Sequence, residues 1–440
     1  MRESTTATTP DEIRVCEGKT QKLRQRLERW QAMFWNRTSL EPRILILGAG
    51  YAGLTCALGL KKPRAHVTLI NRNDYHYLTT LLHEPAVGRR DFHEVTVDLP
   101  QLLEGSPIQF LRREVLGIDL EGQTVTVSQQ GQEETLAYDF LVIALGSQPE
   151  FYDVPGLAEH ALTLSNWSEA RRVHLRVEEA LINYKDHPEE PWRAHIVIGG
   201  AGLTGVELAG EMADWCHRAA REYGIPDGVL RITLLDGGPS VLASCKECQD
   251  RIIPLTTQLL ERKGIRIVTG AHVKAIEDHC LLLGDDRTLE AGLILWTGGV
   301  RGHRLIEGSG LAVNRQKRAL VNEYLQAQGH PEVFVVGDSA AATMANGVVL
   351  PPTAQLAIQQ GPMVARNFCK LLSCQPLTSC EPQRLGIFIS VGEKDALGVV
   401  QNRYHFSGWA ARTIKNAIGY RYLISLGGWK LLWSKWRGVE

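Results

Sequence analysis

A chain of 440 residues with a net charge of −1, 44% hydrophobic and 22% charged, is too long for one compact core and predicts two or three globular domains. Balanced charge of this kind excludes a nucleic-acid binder or a disordered tail. The sequence holds no run of eighteen apolar residues and no basic start followed by an apolar core, so neither a spanning helix nor a secretory signal is expected. Nine cysteines without a repeated spacing fit reduced intracellular thiols.

Residues 1–42 form an extension of their own. After a polar start, Leu23, Leu27, Trp30 and Phe34 recur at helical spacing beside Arg24, Arg26 and Arg29. This predicts one helix over 20–38 that rests on the body or lies on a membrane surface.

The strand RILIL is followed by a G-x-G-x-x-G turn at Gly48, Gly50 and Gly53 and then by small and aliphatic residues of helical type. The first glycine permits the tight turn, the second lets the backbone approach a pyrophosphate, and the third lets helix pack on strand. The phosphates sit at the positive end of the helix. The next strand, HVTLI, ends at Asn71 where a ribose-binding acid is expected. A neutral amide there leaves a weaker ribose contact.

The same order of parts returns 150 residues later. The strand AHIVIG leads into Gly200, Gly202 and Gly205, a helix runs from Thr204 to about Tyr223, and the strand RITLLD ends at Asp236. An acid at this position hydrogen-bonds an unphosphorylated ribose and repels a 2′-phosphate, so NADH is favoured over NADPH. Two such turns predict two nucleotides.

Three further segments sort them. VFVVGDS at 333–339 ends in a Gly-Asp pair, Asp338, of the kind that binds the ribityl and pyrophosphate part of FAD in two-dinucleotide flavoproteins. YDFLVIALGS at 138–147, with Gly146, and LILWTGGV at 293–300, with Gly298, resemble the strands that cross between the FAD and NAD domains of that superfamily.

These segments, with INRNDYHYLTTLLHEPAVG at 70–88, GGAGLTGVELAGE at 199–211, PPTAQLAIQQG at 351–361 and RYLISLGGWKLLW at 421–433, resemble the single-subunit type II NADH dehydrogenases from about residue 43 to the end. Asn71 is similar to the bacillus-type branch. The resemblance implies an α/β fold of two Rossmann-like domains. An FAD domain of residues 43–155 and 297–385 is split around an NAD(H) domain of 156–296, and 386–440 form a C-terminal membrane-contacting and dimerisation segment. It also implies FAD as cofactor, NADH as substrate, a membrane quinone as acceptor and no proton pumping. The protein would then lie peripherally on the cytoplasmic face of a bacterial-type inner membrane or the equivalent organelle membrane.

Within PPTAQLAIQQG, Pro351 and Pro352 suit a first helical turn, and Gln355 and Gln359 lie four apart on one face. Neutral amides can hydrogen-bond a quinone carbonyl, and the resemblance makes both quinone-site candidates; a helix cap and core face is the plainer reading. Glu207 stands near the start of the second helix, either facing the nicotinamide or complementing the helix dipole. No protein nucleophile is required, because the flavin carries the chemistry. His76, His83 and His93 are ordinary hydrogen-bonded histidines or aids to proton uptake.

Trp429, Leu432, Trp433 and Trp436 follow i, i+3, i+4, i+7 spacing, and residues 409–440 hold six Lys or Arg against Glu440 alone. This reads as a helix attracted to anionic lipid, or as a helix pair buried in a homodimer, and the two are compatible. Cys245 and Cys248 form a CKEC, read as a surface loop or as a dithiol redox pair. Two other functions stay open: reduction of a soluble acceptor or disulfide, which would depend on these cysteines, and NADH-driven signalling like that of apoptosis-inducing-factor relatives, which would show slow turnover with every quinone.

Overall fold

The computed structural model describes residues 41–60, 64–226, 228–344, 347–401 and 403–436. The helix expected over 20–38 lies outside them. Two parallel sheets organise the chain. The first runs in the order Gln326–Ala327, His330–Val335, Phe140–Ile143, Arg43–Leu47, His66–Asn71 and Ile108–Arg112, parallel throughout except for its short first edge. The second runs Leu162–Thr163, Leu293–Trp296, His195–Gly199, Arg231–Leu235 and Ile265–Val268, all parallel.

The central strand of each sheet shows why its sequence is apolar at every position. Ile44 and Ile46 enter one core cluster while Leu45 and Leu47 enter another. In the second sheet Ile196 and Ile198 separate from Val197 in the same way. Side chains alternate across a strand, so a continuous apolar run marks a sheet covered on both faces. Over the first sheet the helix Tyr51–Gly59 lies against the helix Ala354–Leu372, so close that a Cβ on Gly361 would stand 2.2 Å from Thr55 Oγ1. Thr353 caps the latter helix by accepting from Leu356 N at 3.4 Å, so Pro351 and Pro352 precede the cap instead of forming the first turn.

The C-terminal segment touches both halves. Its antiparallel strands Gly386–Ser390, Ala396–Val400 and Tyr404–Ser407 place Ile389, Leu397 and Val399 in the cluster around the helix Leu203–Tyr223. The helical run Gly408–Trp436 then returns to the first half, where Tyr422, Leu423, Leu426 and Leu432 join its core. Gly428, at φ 69° and ψ −165°, breaks that run in two. Only glycine adopts such a backbone cheaply.

The expected single tryptophan stripe is divided by this packing. Leu432 is 7% exposed, whereas Trp429 and Trp433 are 72% and 57% exposed; the side chain of Trp436 lies outside the described residues. Leu432 is at the inward edge of the stripe because the helix lies along the protein and spends one of its apolar positions there. Among the described residues, no helix is long and apolar enough to cross a membrane.

Candidate functional site

Each sheet hands its central strand into a glycine turn, and the two turns repeat one another. Gly48 and Gly200 have φ of 98° and 100°. Gly48 N donates to Ile70 O and Gly200 N to Leu235 O, both at 2.7 Å. Gly50 and Gly202 cap their helices at φ −72°, ψ −171° and φ −71°, ψ −170°, without a side-chain cap. The first N–H groups of both helices are therefore not spent on a cap and are free for an anion. Any Cβ on Gly53 or Gly205 would stand 1.9 or 1.8 Å from the carbonyl of Gly48 or Gly200, while nothing lies within 4 Å of one on Gly50 or Gly202. Closed behind and open in front, both turns can admit a pyrophosphate.

Asn71 and Asp236 also correspond. Asn71 Oδ1 accepts from Ala49 N at 3.0 Å, and Asp236 Oδ2 accepts from Ala201 N at 2.5 Å. The remaining atoms differ. Asn71 Nδ2 donates to Asn73 O at 2.8 Å, whereas Asp236 Oδ1 accepts from Gly238 N at 2.6 Å. Both side chains thus brace their own turn before either can meet a ribose.

A single cleft of about 1360 Å³ runs past both turns. That volume exceeds the ~300–1,000 Å³ of ordinary ligand pockets and suits two dinucleotides. Gly48, Gly50, Asn71, Gly146, Asp338, Gly202, Glu207 and Gln355 line it; Gly53, Gly200, Gly205, Asp236, Gly298 and Gln359 do not. Asp338 accepts from Ser147 Oγ at 3.0 Å, and burial raises its carboxyl above the ordinary range. Gly298 sits behind the second turn, where a Cβ on Gly200 would come within 2.5 Å of its Cα. Its carbonyl accepts from Tyr152 Oη at 3.2 Å. The uncapped helix start, the open face at Gly50 and the Asp338 carboxyl fit the phosphate and hydroxyl groups of a flavin dinucleotide.

Both glutamine amides are engaged by backbone. Gln355 Nε2 donates to Gly386 O and its Oε1 accepts from Leu385 N, both at 3.1 Å. Gln359 donates to Gln383 O and accepts from Gln383 N, both at 2.9 Å. The pair therefore clasps the segment that leads into the C-terminal sheet, and of the two only Gln355 reaches the cleft.

Glu207 is the centre of a charged cluster that its place in the sequence did not reveal. Lys415, from the C-terminal helix, donates to Glu207 Oε1 at 2.5 Å and to Ser390 Oγ at 2.7 Å. Ser390 N donates to the same carboxylate at 3.2 Å. His83 Nδ1 lies 3.7 Å from Glu207 Oε2, and its Nε2 lies 3.3 Å from Ser390 Oγ. Burial and then the Lys415 charge hold His83 well below its usual range, so it is neutral. Deeper in, Arg89 Nη2 lies 2.6 Å from Glu84 and 3.0 Å from Glu211, neither approach aligned as a hydrogen bond. Burial outweighs the attraction of Arg89 and pushes the fully buried Glu211 up to about 7. Lys415 and Ser390 are separated from Glu207 by some 200 residues, and in the sequence Lys415 registers only as one basic residue of a tail.

His76 serves the first turn. One ring nitrogen meets Ala49 O at 2.9 Å and the other meets Tyr422 Oη at 3.0 Å, and burial lowers it to about 4. The His93 carbonyl accepts from Lys435 Nζ at 2.6 Å. Cys245 and Cys248, scattered thiols by composition, are joined in a disulfide.

The sequence profile of the pyridine nucleotide-disulphide oxidoreductase family matches residues 42–361. Type II NADH:quinone oxidoreductases of Staphylococcus saprophyticus and Staphylococcus haemolyticus are 32% and 31% identical to this chain over 402 residues, covering 89% of it and 98% of each relative. The structure of NDH2 from Plasmodium falciparum in complex with NADH superposes with a TM-score of 0.81 at 18% identity, over 90% of this chain and 97% of that one. The sulfide:quinone oxidoreductase of Aquifex aeolicus follows at 0.70 and 21%, over 89% and 91%. These two structures share the fold. The chain belongs to the pyridine nucleotide-disulphide oxidoreductase family and, within it, to the type II NADH:quinone oxidoreductases.

Proposed function

We propose that this protein oxidises NADH and passes the electrons to a membrane quinone without pumping protons. The observation that carries the reading is the repeated turn: two uncapped helix starts, with matching backbone, open onto one cleft. Gly48, Gly50, Gly53, Asn71, Gly146 and Asp338 hold FAD, in a domain of 43–155 and 297–385. Gly200, Gly202, Gly205, Asp236 and Gly298 hold NADH, in a domain of 156–296. Bound FAD supplies the two-electron carrier between hydride donor and quinone.

The remaining residues orient and charge the site. Glu207, held by Lys415 and Ser390, keeps a carboxylate on the cleft wall and draws Lys415 to the same place. The pair places an ammonium and a carboxylate together beside the cleft. Gln355 and Gln359 fix the segment 383–386 beside the cleft, and the Gln355 amide borders the quinone end. Trp409, Trp429 and Trp433, all more than half exposed, face an anionic lipid surface on the cytoplasmic side.

The test is anaerobic. NADH should bleach the yellow protein rapidly, NADPH slowly, and an injected quinone should restore the colour at once. Bleaching without recovery would remove quinone as the acceptor and bring the soluble-acceptor and signalling readings forward.

A further inference from the structure

The reading above gives no role to the pair Cys245 and Cys248. The two are bonded across the short turn Lys246–Cys248. Cys248 is completely buried, while Cys245, 8% exposed, lines the cleft together with Lys246 and Glu247. Among the described residues the other six cysteines are unpaired, and Cys56 and Cys216 are deeply buried with thiols that burial raises. A disulfide with one sulfur facing a cleft and the other shielded is open to attack at a single atom.

The bonded turn is anchored on both sides. Upstream, Leu242 N donates to Ala201 O at 2.8 Å, inside the second glycine turn. Downstream, Arg384 Nη1 donates to Glu247 Oε1 at 2.6 Å. Arg384 immediately precedes Leu385 and Gly386, the two residues that engage the Gln355 amide. The disulfide therefore constrains a bridge between the nucleotide turn and the segment that fixes Gln355.

We infer that Cys245–Cys248 is a thiol–disulfide exchange site for a small dithiol reductant, and that its state sets this wall of the cleft. A thiolate of the dithiol attacks Cys245 Sγ, the Sγ–Sγ bond breaks, and Cys248 leaves as a thiolate that takes a proton. The second thiol of the reductant then attacks the mixed disulfide, releasing Cys245 as a thiol and the reductant as its own disulfide. Two electrons and two protons pass to the pair. Freed from the bond, the turn relaxes and loosens the Glu247–Arg384 contact. A small reductant is specified because Cys245 lines the cleft and is only 8% exposed.

The experiment uses the full-length FAD-loaded protein and dithiothreitol. The native protein is labelled with N-ethylmaleimide before and after reduction, the reductant is removed by gel filtration, and labelled peptides are weighed. Cys245 should carry no label before treatment and one afterwards, with the buried Cys56 and Cys216 unlabelled throughout; Cys248, also buried, should be labelled as a free thiol only when the reduced protein is denatured before labelling. The reduced protein should differ in quinone turnover by at least about threefold, a modest fraction of the ~100-fold that a misplaced wall can cost. A Cys245→Ser/Cys248→Ser double variant should not respond to reductant. A label on Cys245 before reduction, or none after it, would overturn the site; equal turnover in both states would overturn its hold on the wall. The turnover arm rests on the function proposed above, whereas the labelling arm does not. A protein that labels as expected yet is never bleached by NADH would refute that function alone.

Discussion

Gly48 and Gly200 differ by 2° in φ, and Gly50 and Gly202 by 1°, yet the side chains around the two turns serve different ends. Two residues after the third glycine, the first helix has Thr55, whose hydroxyl donates to Tyr51 O at 2.6 Å. The second has Glu207, whose carboxylate reaches Lys415 and Ser390. The first turn carries His76 against Ala49 O, with Tyr422 behind it. The first is backed by its own helix and by Tyr422 of the C-terminal helix, as suits the permanent cofactor site proposed for it. The second keeps a charge at the cleft, as suits a substrate that comes and goes.

The harshest way to break the comparison is to fill both turns. Gly53→Val and Gly205→Val each drive a side chain into a backbone carbonyl less than 2 Å away. The first should yield colourless protein without FAD. The second should stay yellow, with flavin bleaching by NADH slowed at least ~100-fold. An absorbance spectrum and stopped-flow bleaching separate the two outcomes, and a colourless Gly205→Val would mean that the turns have been assigned the wrong way round.

Next is the charge that only the second turn has. Glu207→Gln leaves the part-buried Lys415 without its carboxylate partner and should cost up to ~3 kcal/mol of stability, the low end for breaking a buried pair. Adding Lys415→Met should restore most of that in a denaturant titration while quinone turnover stays low. Recovery of turnover along with stability would show that the pair only holds the fold.

The titrating group that only the first turn has gives an effect confined to acid pH. His76 falls from 6.5 to about 4 in the folded chain, so its contribution is complete above pH 6.5 and is lost as pH falls toward 4. The amount is on the order of 3 kcal/mol. Glu211 works in the opposite sense: raised from 4.5 to about 7, its contribution is present below pH 4.5 and is lost as pH rises to 7. Unfolding curves of Glu211→Gln should therefore lose the decline between pH 4.5 and 7, and His76→Gln should reduce the acid-side slope, leaving the part that the neutral, buried His83 contributes.

The mildest change copies one turn onto the other. Asp236→Asn replaces a charge-assisted ribose contact with a neutral one, which at ~1–1.5 kcal/mol raises the KM for NADH about tenfold and narrows the preference over NADPH. Steady-state kinetics with both donors would check this. An unchanged preference would show that the donor is chosen elsewhere.

Much of this was legible because it is local. A strand, a glycine turn and a helix lie within some fifteen residues, and the glycine spacing reports backbone geometry directly, so both glycine turns and the strands that feed them could be read in order, while the two-domain α/β fold came from the family resemblance. Gln355 and Gln359 were less legible: their spacing placed them on one face but could not show that residues 383–386 would occupy their amides. The tryptophan stripe was read from periodicity, yet periodicity does not say which member faces inward, and Leu432 did.

The amino-acid sequence by itself determined the two glycine turns, the strands that feed them, the acid at Asp236 and the amide at Asn71, since each follows from hydrogen bonds and steric limits among near neighbours. Only the tertiary structure decided that Lys415 meets Glu207, that Tyr422 backs His76 and that Cys245 pairs with Cys248 on the cleft wall. Charge and burial act through space. Their partners are chosen by how two sheets and a returning C-terminal helix pack, which no single stretch of chain encodes.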